Sequence, residues 1–193
     1  KVVKLLLAVG GIQLNQATNN GWTPLNVACE KDSKVVKILL AAGGIQVNQP
    51  NNNGCTPLFV ACQYGYTKAV EMLVAVDGIQ VNQANNNGCT PLYMACQNDH
   101  LKVVEMLLTV DGIQVNQTNS TGCTPLYGAC EKDHLKVVTM LLAVGGIHVN
   151  QATNNGWTPL NVACEKDYLK VVKLLLLAVG SIQVNQANNN GCT

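Results

Sequence analysis

The sequence predicts a mostly α-helical solenoid of stacked antiparallel helix pairs with projecting β-hairpin-like loops, and three observations carry that prediction. Prolines recur at Pro24, Pro57, Pro91, Pro125 and Pro159, spaced 33, 34, 34 and 34 residues apart, and self-similarity at such a period marks a repeat architecture. Each proline stands in a Gly-x-Thr-Pro-Leu segment, beginning at Gly21, Gly54, Gly88, Gly122 and Gly156. Each segment continues through x-x-Ala-Cys, a polar turn, a lysine-led apolar stretch and variants of Ile-x-Val-Asn-Gln. The expected organisation is a single array over 1–193. A half unit occupies 1–20; units one to five occupy 21–53, 54–87, 88–121, 122–155 and 156–190; a stub remains at 191–193.

Each element of the unit has a physical reading. Thr23, Thr56, Thr90, Thr124 and Thr158 can cap a helix with their hydroxyls, and the proline that follows suits the first helical position. Leu25, Ala28 and Cys29 fall at i, i+3 and i+4, one apolar face of a short helix. Leu101, Val104, Leu107 and Leu108 repeat that pattern in a second helix. Between the helices stand Gly65 in unit two and Asp32, Asp99, Asp133 or Asp167 in the others. A left-handed residue is wanted there, which glycine supplies freely and aspartate at some cost. Asn20, Asn53, Asn87, Asn155 and Asn190 each precede a glycine, which suits a tight turn with positive φ.

Thr-Pro-Leu-x-x-Ala, the helix pair and the Val-Asn loop resemble the ankyrin repeat family across the whole chain. The tetratricopeptide repeat has a similar period, but its Trp-x-x-Leu-Gly-x-x-Tyr pattern is absent here. The chain departs from the family pattern where a histidine usually follows Thr-Pro-Leu: Asn26, Phe59, Tyr93, Tyr127 and Asn161 stand there, and the usual loop aspartate is asparagine, as at Asn85 and Asn87. Unit one is a residue short between its helices, at Asp32-Ser33-Lys34, and unit five has an extra leucine in Leu174–Leu177. Residues 15–32 and 150–167 are identical over 18 positions, which reads as duplication of a four-unit block.

Composition excludes several classes of function. Twelve basic residues, all lysine, against eleven acidic ones give a net charge of +1, with no pull toward nucleic acid or an acidic membrane. The opening Lys1-Val-Val-Lys-Leu-Leu-Leu imitates a signal peptide, but related strings recur at Lys34, Lys102, Lys136 and Lys170. No apolar run approaches the ~18 residues of a membrane span. The chain opens within the pattern without a methionine and stops at Gly191-Cys192-Thr193, which reads as a piece of a longer array. Without polar capping units, fraying and end-to-end self-association through uncapped termini are expected.

The nine cysteines form two columns. Cys29, Cys62, Cys96, Cys130 and Cys164 are expected on the buried face of the first helices; Cys55, Cys89, Cys123 and Cys192 are expected beside the loops. Equivalent residues in stacked units lie about 8–10 Å apart, beyond the roughly 7 Å Cα separation a disulfide tolerates. Reduced structural thiols and an intracellular, cytoplasmic location follow as expectations. Cys96 and His100, like Cys130 and His134, have ligand-like spacing, but a helix break falls between them and the cysteine faces the core, so no metal is expected. Copied units hold no unique nucleophile–base–orienter set, so neither an enzyme nor a cofactor is expected. The lysine ladder Lys1, Lys34, Lys68, Lys102, Lys136 and Lys170 reads as a solvated helix face rather than an anion track, since rungs about 10 Å apart are near the Debye length. Asn116-Gln117-Thr118 and Asn119-Ser120-Thr121 match glycosylation acceptors as chance matches in an asparagine-rich chain.

The family resemblance implies a non-enzymatic scaffold that binds a protein partner through a concave face of loop tips and first helices. Carried onto this chain, that face comprises Trp22, Asn53, Phe59, Tyr64, Asn87, Tyr93, Gln97, Asn98, Tyr127, Lys132 and Trp157. Phe59, Tyr93 and Tyr127 form an aromatic stripe with two readings, partner anchors or filler between adjacent loops. Two other functional readings are a regulatory or spacer array attached to an enzyme or channel domain elsewhere in the full-length chain, and a consensus-like design with no evolved partner.

Overall fold

The computed structural model describes residues 12–31 and 34–178, together with Asn189 and Gly191. Within these residues the five units supply ten helices in strict alternation. The first helices are α1 (Pro24–Cys29), α3 (Pro57–Tyr64), α5 (Pro91–Gln97), α7 (Pro125–Glu131) and α9 (Pro159–Glu165). The second helices are α2 (Lys34–Leu40), α4 (Thr67–Val74), α6 (Leu101–Leu108), α8 (Leu135–Leu142) and α10 (Leu169–Ala178). Each first helix packs on its own second helix and on the first helices of adjacent units, and the second helices form a parallel series behind them. The described residues contain no β-strand. The helix expected in the half unit, Asp32 of unit one and, apart from Gly191, the stub lie outside the described residues, as do the chain ends on which end-to-end association was expected.

The helix starts follow from the Thr-Pro pair. At Thr23, Thr56, Thr90, Thr124 and Thr158 the backbone is extended and the side chain accepts a hydrogen bond from the amide three residues on, with proline in the first turn. The five threonines are buried, so each hydroxyl satisfies an amide that water cannot reach. In units two to five a left-handed residue follows the first helix: φ is +73° at Gly65 and +58°, +59° and +58° at Asp99, Asp133 and Asp167. Unit two needs glycine at that place because the ring of His100 lies over it; a Cβ on Gly65 would sit 2.4 Å from His100 Nδ1.

The core is a ribbon repeated from unit to unit. Leu25, Leu58, Leu92 and Leu126 from first helices meet Val36, Val70, Val104 and Val138 from second helices, and all are buried. Cys29, Cys62, Cys96 and Cys130 fill the small gaps between neighbouring first helices and are fully buried, whereas Cys164 is exposed. That departs from the expected uniform column. The side of α9 that carries Cys164 meets no further first helix among the described residues, so the position that elsewhere lies between two helices is open here.

Polar joints run alongside this ribbon. In four loops the asparagine of the [Val/Leu]-Asn-Gln segment both donates and accepts across units. Asn82 Nδ2 donates to Gly112 O at 2.8 Å, and Asn82 Oδ1 accepts from Gln114 N at 2.9 Å. Asn15, Asn48 and Asn116 make the same pair of bonds to the unit that follows each of them. A carboxamide supplies the two roles from two separate atoms, an oxygen that accepts and an NH2 that donates. This holds Asn116 inside a joint, and the Asn119 carboxamide oxygen accepts from Thr121 and Cys123; both glycosylation-like asparagines are therefore structural.

Candidate interaction face

The loop tips are built by one repeated device. Gly54 N donates to Asn51 O at 2.9 Å, Asn51 N donates to Cys55 O at 3.0 Å, and φ at Gly54 is +78°. The three-residue tip is thus a turn closed by a left-handed glycine, and the positive φ expected at the tip falls on the glycine. Asn51 Oδ1 accepts from the amides of Asn53 and Cys55 and pins the turn from within. Successive tips are tied by backbone bonds, Asn86 N to Asn53 O at 3.0 Å and Ser120 N to Asn87 O at 2.9 Å. A side-chain rung accompanies them at Asn52, Asn86 and Asn154, whose amides donate to Asn19 O, Asn52 O and Ser120 O.

The face shared by tips and first helices is creased by two grooves. The larger, about 580 Å³, crosses units one to three and is bordered by Trp22, Asn53, Phe59, Tyr64, Asn87 and Gln97. The smaller, about 320 Å³, crosses units four and five and holds Tyr127 and Trp157 beside Glu131, Glu165 and Lys166. Tyr93, Asn98 and Lys132 line neither groove. A hollow of about 950 Å³ faces α2, but neither a tip nor a first helix contributes to it, so it belongs to another side of the molecule.

The rings of the aromatic stripe are packed between units. Phe59, Tyr93 and Tyr127 are only 2%, 5% and 9% exposed. Tyr93 lies against Gly128 of the next unit, where an added Cβ would sit 3.3 Å from its Cε2, and its hydroxyl accepts from Gln97 Nε2 at 3.4 Å. Burial pushes the Tyr93 hydroxyl well up and that of Tyr127 up to about 12, with Cys123 the next cause in each case. Units one and five solve the same position with a polar side chain. Asn26 Oδ1 accepts from Thr23 N and Thr23 Oγ1, closing a capping box, and Asn26 Nδ2 donates to Cys55 O of unit two at 3.2 Å.

The other expected residues divide by exposure. Tyr64 is 44% exposed and stacks on Tyr66 with ring centroids 6.0 Å apart. Asn53 and Asn87 are exposed, and no hydrogen bond from their carboxamides to the described chain uses up their polar groups. Trp22 and Trp157 are half-buried. Asn98 serves a joint: its Nδ2 donates to Gln63 O at 3.1 Å, where His100 Nε2 also donates at 3.0 Å. Lys132 pairs loosely with Glu131 at 3.9 Å. Gln63 borders the larger groove beside Tyr64, and Met94 borders it without being among the expected residues. The signal for Met94 is a break in a copied column, where it replaces the valine of units one, two and five.

The face offers little chemistry. Burial raises the Cys55, Cys89 and Cys123 thiols above their usual range, only partly opposed by side-chain hydrogen bonds from Asn85, Asn119 and Thr121. A thiol held protonated is a poor nucleophile and metal ligand. Among the described residues no three histidine, cysteine or acidic side chains cluster as a metal site would require, and no helix is long and apolar enough to cross a membrane. Comparison with known families matches residues 1–51, 44–119 and 111–188 to a profile described as ankyrin repeats, three copies. No curated protein sequence matches the chain.

Proposed function

The chain belongs to the ankyrin repeat family, a family of protein–protein interaction modules that is typically non-enzymatic, and from that premise we propose that this array is a scaffold that docks a protein partner along its concave face of loop tips and first helices. The observation that carries the reading is the coincidence of the open grooves with positions that vary. Scaffold positions are copied from unit to unit, while Trp22, Tyr64, Gln97 and Trp157 stand where the residue changes between units and border space into which a partner can insert. Phe59, Tyr93 and Tyr127 support that floor from beneath, being buried; the partner contacts fall to the exposed residues around them.

Hydrogen exchange on the array with and without a captured protein partner tests the proposal. Protection confined to tips and first helices is the expected result, and protection confined to second helices refutes it. A Tyr64→Ala variant sharpens the test. The ring is exposed, so melting should hardly change, while affinity falls by about 2 kcal/mol if Tyr64 is an interface anchor.

A further inference from the structure

The two grooves differ in charge, and the difference lies at one pair of positions. First helices end in Glu30-Lys31, Glu131-Lys132 and Glu165-Lys166 in units one, four and five, but in Gln63-Tyr64 and Gln97-Asn98 in units two and three. The larger groove accordingly has no lysine, aspartate, glutamate or histidine in its lining, whereas the smaller one has Glu131, Glu165 and Lys166. Around the neutral groove stand the carboxamides of Asn53, Asn87 and Gln63, with Tyr64, Trp22 and Met94 as its apolar surfaces. The thiols of Cys55 and Cys89, which also face it, are kept protonated by burial.

The geometry points to the groove across units one to three as a docking site for an extended, uncharged peptide segment of a protein partner, held main chain to carboxamide and seated by one apolar side chain. This rests on the proposed function and narrows its partner. Carboxamides present a donor and an acceptor each, the complement of a peptide unit. A charged side chain entering the groove would shed water and meet no counter-charge, and an unpaired charge out of water is the costliest group to bury. Exclusion of charge thus does as much for selectivity as the contacts themselves. At the smaller groove an acidic or basic residue finds an opposite partner, so the two grooves sort segments by charge.

The test is selection of linear peptides from a random display library on the protein as it stands, followed by binding to a Gln63→Glu/Tyr64→Lys variant. The variant restores the pair already carried by units four and five, at positions that are exposed or half-exposed, and its circular dichroism and melting confirm its fold. The expected result is enrichment of peptides with no acidic or basic residue across the contacting stretch. Their affinity should hardly change between about 50 mM and about 500 mM salt and should fall about tenfold or more on the variant. Binders that carry a charge in that stretch, or that bind the variant equally well, overturn the inference while leaving partner docking on this face standing. A selection with no binder on either groove overturns both readings.

Discussion

Units one and five place asparagine at the third residue of the first helix, and units two, three and four place an aromatic ring there. The backbone around the position is the same in both sets, from the extended threonine cap through the proline of the first turn. What differs is how the space between neighbouring units is filled. Asn26 spends its carboxamide on the capping box and on a bond to Cys55 O of the next unit. Phe59 and Tyr93 make neither bond and exclude water instead. The comparison teaches that this family position is a joint between units before it is a contact for a partner, and that a joint can be closed by hydrogen bonding or by packing.

The sharpest way to break the comparison is to exchange one solution for the other. Phe59→Asn removes a ring that is 2% exposed. Truncating a buried aromatic costs about 3–5 kcal/mol, and a gained cap returns only about 1 kcal/mol. A net loss of about 3 kcal/mol is expected in urea unfolding. A loss below about 1 kcal/mol would mean that the joint can collapse around asparagine, and the two solutions would then be interchangeable.

The Val-Asn-Gln joints provide the next largest effect. Asn82→Asp keeps the acceptor for Gln114 N but turns the donor that meets Gly112 O into a second oxygen. Two facing acceptors cost about 1–3 kcal/mol at neutral pH. The carboxylate form is the disfavoured one in the folded state, so the folded pKa rises above the unfolded value near 3.9. Protonation restores a donor, and stability linked to a raised pKa is present below the unfolded pKa and lost as pH rises through the folded one. The deficit against the parent protein should therefore be smallest below about pH 4. A deficit that grows on acidification would show that the Gln114 contact, rather than the Gly112 one, dominates.

Most of the fold was legible from the repeat because each element rests on a local rule. The Thr-Pro cap, the apolar face and the left-handed Gly or Asp all depend on residues within a few positions of one another. The positions that were not legible depend on the neighbouring unit, some 34 residues away. Periodicity places Tyr93 on a face, but its burial depends on Gly128 of unit four leaving room for the ring. Asn98 reads as a partner contact until Gln63 O of the preceding unit claims it. The grooves are legible only in part, as breaks in copied columns at Gln63, Tyr64 and Met94, since their depth depends on how tips and helices of three units come together.

That coupling is itself a prediction of moderate size. Gly128→Val restores the residue that units one, two and five carry there, yet the new side chain meets the Tyr93 ring at a distance tighter than ordinary contact. Gly in a helix costs about 1 kcal/mol against Ala, so the substitution has something to gain, but overpacking costs about 1–3 kcal/mol. A net loss of about 1 kcal/mol is expected. Because units one and two carry asparagine and valine, Asn26 and Val60, at the positions equivalent to Tyr93 and Gly128, Gly128→Val should cost less in a Tyr93→Asn background. A double-mutant cycle measures the difference, with a coupling of about 0.5–3 kcal/mol expected for residues in contact; strict additivity would show that the ring and the glycine are independent.

The smallest effect concerns the one tip that breaks the asparagine ladder. Asn52, Asn86 and Asn154 each donate a side-chain amide to the preceding tip, and Asn189 does the same to Asn154 O at 3.1 Å. Ser120 occupies the equivalent place in unit three and keeps only the backbone bond to Asn87 O. A serine hydroxyl is shorter than a carboxamide by the reach needed to span to the preceding tip, so the joint between the tips of units two and three has one rung where its neighbours have two. Ser120→Asn should add the missing rung. The site is exposed, where water competes for both partners, so the gain sits at the low end for a hydrogen bond, about 0.5 kcal/mol. In a chain of this size that corresponds to a rise in melting temperature of about 1–2 °C. Hydrogen exchange offers a more local measurement: amides of Asn87 and Ser120 itself should gain protection while those of the tip at Asn52 stay as they are. If protection is unchanged at the substituted tip, the ladder is a consequence of tip geometry and contributes nothing to holding the units in register.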